Sequence, residues 1–346
     1  MLQGLADPAS GRDIVAAGLV DSLTLRNGLV HLALRADRAT SQAMEGVRQQ
    51  AEALLRRQPG VLNATAVLTA HRPAPPPPPG PAPLLPDVRF VVAVASGKGG
   101  VGKSTTAVNL AVSLARQGLR IGLLDADIYG PSLPQMLGVT RKPELRGEKM
   151  LPLEAWGLRA MSIGFLVDQE TAMVWRGPMV MGALQQLLGQ VEWGALDVLV
   201  VDMPPGTGDA QLTMAQKVKL SGAVIVSTPQ DVALADARRG VRMFEKTSVP
   251  VLGMVENMSF FCCPHCGGRS DMFGHGGAAR EAERLGVEFL GEIPLLIDIR
   301  TTSDAGTPIA AAAPDSTAGQ AYAALAARVW AKLQTPAVAG PRIVID

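Results

Sequence analysis

Cysteine is almost missing from this chain of 346 residues: there are three, Cys262, Cys263 and Cys266, all within five positions. Such a set cannot form a scattered disulfide framework and reads instead as a metal or redox site. Aromatic residues are scarce too, at 4%, which argues against a stacking platform for single strands. Neither sign of charge is in excess, since 32 Lys and Arg against 31 Asp and Glu leave a net charge of +1. That balance excludes a disordered polyelectrolyte and a strongly basic binder, so no nucleic-acid partner is expected. No apolar run approaches the roughly 18 residues of a membrane span. The longest runs, around Phe90–Ala95 and Val198–Val201, are strand-sized, so no membrane partner is expected either. Met1–Asp7 shows neither the basic nor the apolar region of a secretory signal, so a cytoplasmic protein is expected.

Glycine and proline, by contrast, are plentiful, with 37 and 26 residues, as suits a helix-and-sheet protein with many tight loops. At roughly 150 residues per domain the length predicts about two domains. Nine of the seventeen residues from His71 to Asp87 are proline, including the unbroken run Pro75–Pro79. Such a stretch favours extended polyproline II and cannot pair into a sheet, so 71–87 reads as a semi-rigid linker. Before it, residues 1–70 read as a small α/β domain for assembly or docking: Asp13–Leu19 is apolar with a glycine break, Leu29–Leu34 and Val61–Leu68 are strands, and Gln42–Arg57 is a helix. After it, 88–335 follows a strand–loop–helix rhythm, with 336–346 as a tail. Strands are predicted at Arg89–Ala95, Arg120–Leu124, Asp197–Val201, Ala223–Ser227, Val249–Val255 and Glu288–Ile293. Helices are predicted at Lys103–Gln117, Met179–Val191, Ala233–Glu245 and Ala278–Leu285. The class is therefore α/β, with a mostly parallel sheet flanked by helices and its ligands beyond the carboxyl ends of the strands.

Chemistry enters directly after the first of these strands. Gly97, Lys98, Gly99, Gly100, Val101, Gly102, Lys103 and Ser104 satisfy the P-loop pattern GxxxxGK[ST], followed by Thr105 and a helix. The glycines let backbone N–H groups turn toward phosphate oxygens, Lys103 supplies a point charge at the β/γ positions, and the Ser104 hydroxyl can bind Mg²⁺. Leu199–Asp202 is an apolar strand ending in a carboxylate, the place for a Mg²⁺-holding group. The loop Met203–Asp209 after it is built to respond to a γ-phosphate. Asp125 and Asp127 end another strand near the same phosphates, although Asp125 reads equally well as a helix cap. No NKxD tetrapeptide reads guanine, so ATP is favoured as the nucleotide.

Cys263-Pro264-His265-Cys266 is a CxxC followed by two glycines, placed in a loop just after the Val249–Val255 strand. Two thiolates are too few for a closed zinc site or a cubane cluster, which want four ligands. The residues leave open a cluster shared by two subunits, a zinc site completed by His265 or His275, a redox pair, and thiols that merely pack. Cys262 points elsewhere in an extended knuckle.

Lys98, early in the loop, makes GKGGVGKST similar to the deviant P-loop of the dimeric ATPases that include nitrogenase iron protein and the septum-site and partition ATPases. With DADIYGPS at 125–132, WRGPM at 175–179, LVVDMPPGTGD at 199–209, STPQDVAL at 227–234 and ENMSFFCCPHCG at 256–267, the chain resembles the Mrp/ApbC iron–sulfur cluster carrier ATPases. The stretch from Asp7 to Val20 also resembles the small assembly domain often fused to them. The resemblance implies a P-loop NTPase that hydrolyses ATP slowly. Lys98 would reach across a homodimer, Asp127 would orient the attacking water, and Asn257 would contact adenine. Cys263 and Cys266 of both subunits would hold a 4Fe-4S cluster, received from upstream donors and delivered to apo-proteins. A zinc-knuckle metallochaperone ATPase and a partition or positioning ATPase are the rivals. The latter needs a basic C-terminal helix, and Ala321–Leu333 carries only Arg328 and Lys332.

Overall fold

The computed structural model describes residues 2–26, 28–36, 40–69, 84–167 and 177–335. The Pro75–Pro79 run, Trp175, Arg176 and the tail 336–346 lie outside the described residues. The chain divides into two compact units, Met1–Ala82 and Pro83–Asp346.

In the first unit, strands β1 (Val20–Arg26) and β2 (Leu29–Arg35) precede helix α1 (Ser41–Arg56) and strand β3 (Asn63–Thr69). β1 and β2 run antiparallel, β2 and β3 parallel. A parallel pair needs a crossover, and α1 supplies it. Met44, Val47, Ala51 and Leu55 recur at helical spacing on the buried face of α1, where Val30, Leu32 and Leu34 complete the core. Asp13–Leu19 forms turns, and β1 begins only after them. Its apolar residues gave no sign of this strand because Leu23 and Leu25 are 54% and 64% exposed. β3 starts two residues later than Val61, because the Leu62 amide is spent on Gly28 O in the connection.

The second unit opens with β4 (Val88–Ala95), α2 (Lys103–Arg116), β5 (Ile121–Asp125) and the short α3 (Leu133–Leu137). A hairpin follows, β6 (Leu145–Arg146) with β7 (Lys149–Met150), then β8 (Leu153–Ala155), β9 (Leu158–Ser162) and α4 (Gly177–Gly189). Next come β10 (Leu196–Asp202), α5 (Asp209–Lys217), β11 (Gly222–Ser227), α6 (Asp231–Lys246) and β12 (Val251–Cys262). The chain continues through β13 (Arg269–Ser270), α7 (Gly277–Leu285), β14 (Phe289–Leu295), α8 (Ile297–Asp304), α9 (Ile309–Ala312) and α10 (Thr317–Gln334). Nine strands form one sheet in the order β13-β12-β11-β4-β10-β5-β9-β8, with β14 also on β12. Only β8 and β13 run antiparallel to their neighbours.

Val91–Ala95 and Val198–Val201 are buried without alternation, the pattern of strands covered by helices on both faces. Leu84 and Leu85, at the end of the proline-rich stretch, pack against this core, so the second unit starts before Val88. β9 went unpredicted because its residues Leu158–Ser162 are few and interrupted by Arg159. Neighbours β4, β10 and β5 bring three loops to one edge, where the polar motifs converge. Among the described residues no helix is long and apolar enough to cross a membrane.

Candidate nucleotide and cysteine sites

The loop between β4 and α2 turns on Gly100 and Gly102, whose φ angles of 79° and 78° lie in the left-handed region that costs glycine nothing. Gly97 is required for a different reason: a Cβ there would stand 2.1 Å from the Asp236 carbonyl carbon of α6. Gly99 is exposed, and Lys98 is half-exposed with no ion pair among the described residues. Lys103 is 6% exposed and places Nζ 2.5 Å from Asp202 Oδ1 and 3.3 Å from Ser104 Oγ. Asp202 is buried at the end of β10 and in parallel register with Asp125 at the end of β5. The loop after β10 is tied to the P-loop strand, because Gly206 N donates to Ser96 O at 3.1 Å. Gln211 of α5 donates its amide to Pro204 O.

Asp202 Oδ2 is buried with no hydrogen-bond partner within 3.5 Å. An unpartnered carboxylate oxygen with the Ser104 hydroxyl close by is the donor set a hard cation such as Mg²⁺ takes. Burial pushes Asp202 up, and the Lys103 ammonium, with the Ser104 hydroxyl, pulls it back.

Asp125 behaves as a cap and an anchor together. Its Oδ2 accepts from Ser132 N at 3.0 Å and Leu133 N at 3.3 Å, at the start of α3, and from Ser162 Oγ at 3.0 Å. Its Oδ1 accepts from Asp127 N at 3.0 Å. The carboxyl thus pins the 126–132 loop to the sheet. Ser162 was not picked out from the sequence, since a serine ending an unpredicted strand has no motif around it. Asp127 is half-buried on that loop, and burial raises it as well.

Burial first, and then the neighbouring Asp202 charge, push Asp125 up to about 7, against the pull of the backbone N–H donors and Lys103. Between the ordinary value of 3.8 and about 7, the folded chain keeps a proton that the unfolded chain has released. Stability therefore falls as pH rises through that window and levels off above it. Denaturant midpoints measured from about pH 5 to about pH 8 should fall toward neutrality, and Asp125→Asn should flatten the slope. A variant with the wild-type slope would assign the titration to another group.

Beside the P-loop lies a cavity of about 340 Å³ lined by Gly102, Thr105, Asn257, Met258, Pro294 and Leu295, among others. Asn257 is 5% exposed, and its Nδ2 donates to Val101 O at 2.8 Å. The 294–296 segment, the end of β14 and the residue after it, supplies the apolar wall that a base can lie against. A proline and two leucines at a strand end carry no signature of this.

β12 runs further than predicted. It continues through Asn257 to Cys262, so the cysteines sit at the tip of a long strand rather than in a loop after a short one. Cys262 is the last ladder residue, opposite Arg269. Cys263 N donates to Gly268 O, and Gly267 N to Cys263 O, both at 2.9 Å, which closes a tight hairpin around Cys263 and Cys266. Cys263 is half-buried and Cys266 exposed. Backbone N–H donors of His265, then Cys266, together with the Cys266 thiol, lower Cys263 below the usual thiol range. N–H groups aimed at a sulfur favour its thiolate form, the form in which cysteine ligates a metal. His275 is committed elsewhere, with Nδ1 at 3.0 Å from Ser259 Oγ and 3.6–3.7 Å from Glu292 and Glu256. It therefore lends no support to a zinc site completed from this side.

Two family models match the chain. The family described as NUBPL iron-transfer P-loop NTPase matches residues 87–330, and the one described as iron-sulfur cluster assembly protein matches residues 1–66. An iron–sulfur cluster carrier protein of Pseudomonas fragi is 55% identical over 256 residues, covering 73% of this chain and 89% of that one. One from Haemophilus influenzae is 43% identical over 336 residues, covering 96% and 90%. A nucleotide-binding protein of Archaeoglobus fulgidus, solved with ADP and with cobalt, is 44% identical at a TM-score of 0.57, covering 64% of this chain and 87% of that one. The cell-division ATPase MinD of Pyrococcus furiosus, 21% identical at a TM-score of 0.53 and covering 70% and 99%, shares the fold.

Proposed function

Because the chain belongs to the family of NUBPL iron-transfer P-loop NTPases and is an iron–sulfur cluster carrier, we propose that it binds and hydrolyses ATP. We propose further that a 4Fe-4S cluster is held between two copies by Cys263 and Cys266 of each. The observation that carries the reading is the placing of a P-loop lysine–aspartate pair and a two-cysteine hairpin in one α/β unit, with half the thiolates that such a cluster needs. A two-fold axis supplies the other half.

In this reading the N–H groups of Gly99–Lys103 receive the phosphates. Lys103 would turn from Asp202 to the β/γ oxygens, and Ser104 with Asp202 would hold Mg²⁺, which would supply charge neutralisation to the phosphates. Asp127 orients the attacking water, Asp125 holds the loop that carries Asp127, and Lys98 faces the nucleotide of the second copy. Asn257 meets the adenine from the floor of the 340 Å³ cavity. The N-terminal unit, 1–70, serves as the docking module for upstream donors or apo-protein clients, with 71–87 as its linker, 88–335 as the ATPase domain and 336–346 as a tail.

Iron, sulfide and zinc are measured per chain after anaerobic reconstitution, together with molar mass. About two irons and two sulfides per chain in a dimer are expected. Stoichiometric zinc in a colourless protein would remove the cluster assignment.

A further inference from the structure

We infer that Ser259 is a positioning residue that couples nucleotide occupancy to the cysteine hairpin, by fixing an interrupted stretch of β12 that lies between the two. The inference rests on the reading above, in which Asn257 floors the base cavity and Cys263 and Cys266 hold the cluster.

β12 touches the nucleotide site at one end and carries the cysteines at the other. Asn257 hydrogen-bonds the P-loop at Val101 O, and six residues later Cys263 opens the hairpin. Between them the ladder with β14 breaks. Glu256 pairs with Glu292 and Asn257 with Ile293, and pairing resumes only at Phe261 with Leu295. Three residues of β12, Met258 to Phe260, thus stand against the single residue Pro294. Proline has no N–H to give a ladder, which explains the break at this position. Met258 takes up the excess length with a φ of 55°, a left-handed conformation that a side-chain-bearing residue holds only when its surroundings enforce it.

The break faces the cavity: Met258, Pro294 and Leu295 all line it. A base seated there therefore presses on the one unladdered stretch of the strand. Beyond the break the strand is paired again, Phe261 with Ser270 and Cys262 with Arg269, while the Arg269 guanidinium stacks 3.8 Å over the Phe260 ring. A shift at Met258 is thus passed on to Cys263 rather than absorbed.

Ser259 holds the bulge in one arrangement. It is fully buried, with Oγ 2.7 Å from Glu256 Oε1, 3.0 Å from Glu292 Oε2 and 3.0 Å from His275 Nδ1. Glu256 is in turn held by Gly276 N and Ala278 N at the entry to α7. The single hydroxyl proton goes to Glu256, the shortest of the three contacts, and His275, between the two carboxylates at 3.6–3.7 Å, completes a cluster that ties β12 to β14 and to the loop that closes behind the hairpin. Without the hydroxyl the bulge has no ladder bonds and keeps only the Phe260–Arg269 stacking, and pressure from the cavity is lost in local motion.

The test uses the full-length, cluster-free chain. Alkylation of Cys263 and Cys266 by iodoacetamide is followed by peptide mass spectrometry with and without Mg–ADP, and ADP affinity is measured by calorimetry. Wild type should show a change in alkylation rate of about fivefold or more on ADP binding, and Ser259→Ala should bring the ratio close to one with ADP affinity within about twofold of wild type. Should Ser259→Ala fold poorly, Glu292→Ala removes one of the same partners from a half-exposed position and should lower the ratio. A wild-type ratio retained in these variants overturns the inference, as does wild type that binds Mg–ADP without any change in alkylation. A wild-type chain that does not bind Mg–ADP would overturn the nucleotide reading, and the inference with it.

Discussion

Replacing Lys103 with alanine should abolish nucleotide binding and also destabilise the fold, and the two losses should be separable. Lys103 and Asp202 form an ion pair at 2.5 Å in which the side chains are 6% and 0% exposed. Removing one partner of a buried pair strands the other charge, a loss of about 3–5 kcal/mol in comparable cases. Here Asp125 lies beside Asp202 in register, so the stranded carboxylate has a second acid for a neighbour. Lys103→Ala should therefore lower the denaturant midpoint clearly. The double change Lys103→Ala with Asp202→Asn removes the stranded charge and should recover most of the stability, because eliminating both members of a buried pair is often close to neutral. It should not recover ADP binding, since the point charge at the β/γ position is still missing. Unfolding curves and calorimetry on the two variants give both answers. A double variant no more stable than the single one would show that the pair is not what holds this end of the sheet, and full ADP binding by Lys103→Ala would displace the phosphate site.

How much of this was visible in the sequence depends on how local each feature is. The P-loop was legible because strand, glycines, lysine and helix are contiguous, and the structure places β4, the Gly97–Gly102 turn and α2 in that succession. The central strands were legible because burial on both faces leaves continuous apolar runs. β1 was hidden for the opposite reason, since its leucines are exposed. The Lys103–Asp202 contact spans 99 positions, and only the recurrence of strand-end carboxylates hinted at it. Asp125 illustrates a limit: two uses were open, and its four donors, from Asp127, Ser132, Leu133 and Ser162, show a buried anchor that spacing could not reveal. The reach of β12 was underestimated because Glu256-Asn257 interrupts its apolar pattern, and those two residues are buried polar groups satisfied from other elements.

The three adjacent thiols should then divide sharply in their effect on iron. Cys262 ends β12 and pairs with Arg269, while Cys263 is the next residue along, and neighbouring side chains on extended backbone project to opposite faces. The hairpin N–H groups of His265 and Cys266 favour the Cys263 thiolate, and Cys266 is its exposed neighbour across the turn. If the cluster is shared as proposed, Cys263→Ser or Cys266→Ser removes two of its four thiolates, so reconstituted iron should fall roughly tenfold. Cys262→Ser should keep wild-type iron and sulfide. None of the three should disturb the fold by more than about 0.5 kcal/mol, since the hairpin is closed by backbone bonds and its thiols lie outside the core. ADP affinity, set at the other end of β12, should also survive. Iron and sulfide assays on the three variants, with unfolding curves and calorimetry alongside, decide the matter. If Cys262→Ser stripped the iron while Cys263→Ser retained it, the ligand pair would be Cys262 with Cys266, and the hairpin would have to open its Gly268 and Gly267 hydrogen bonds to present them.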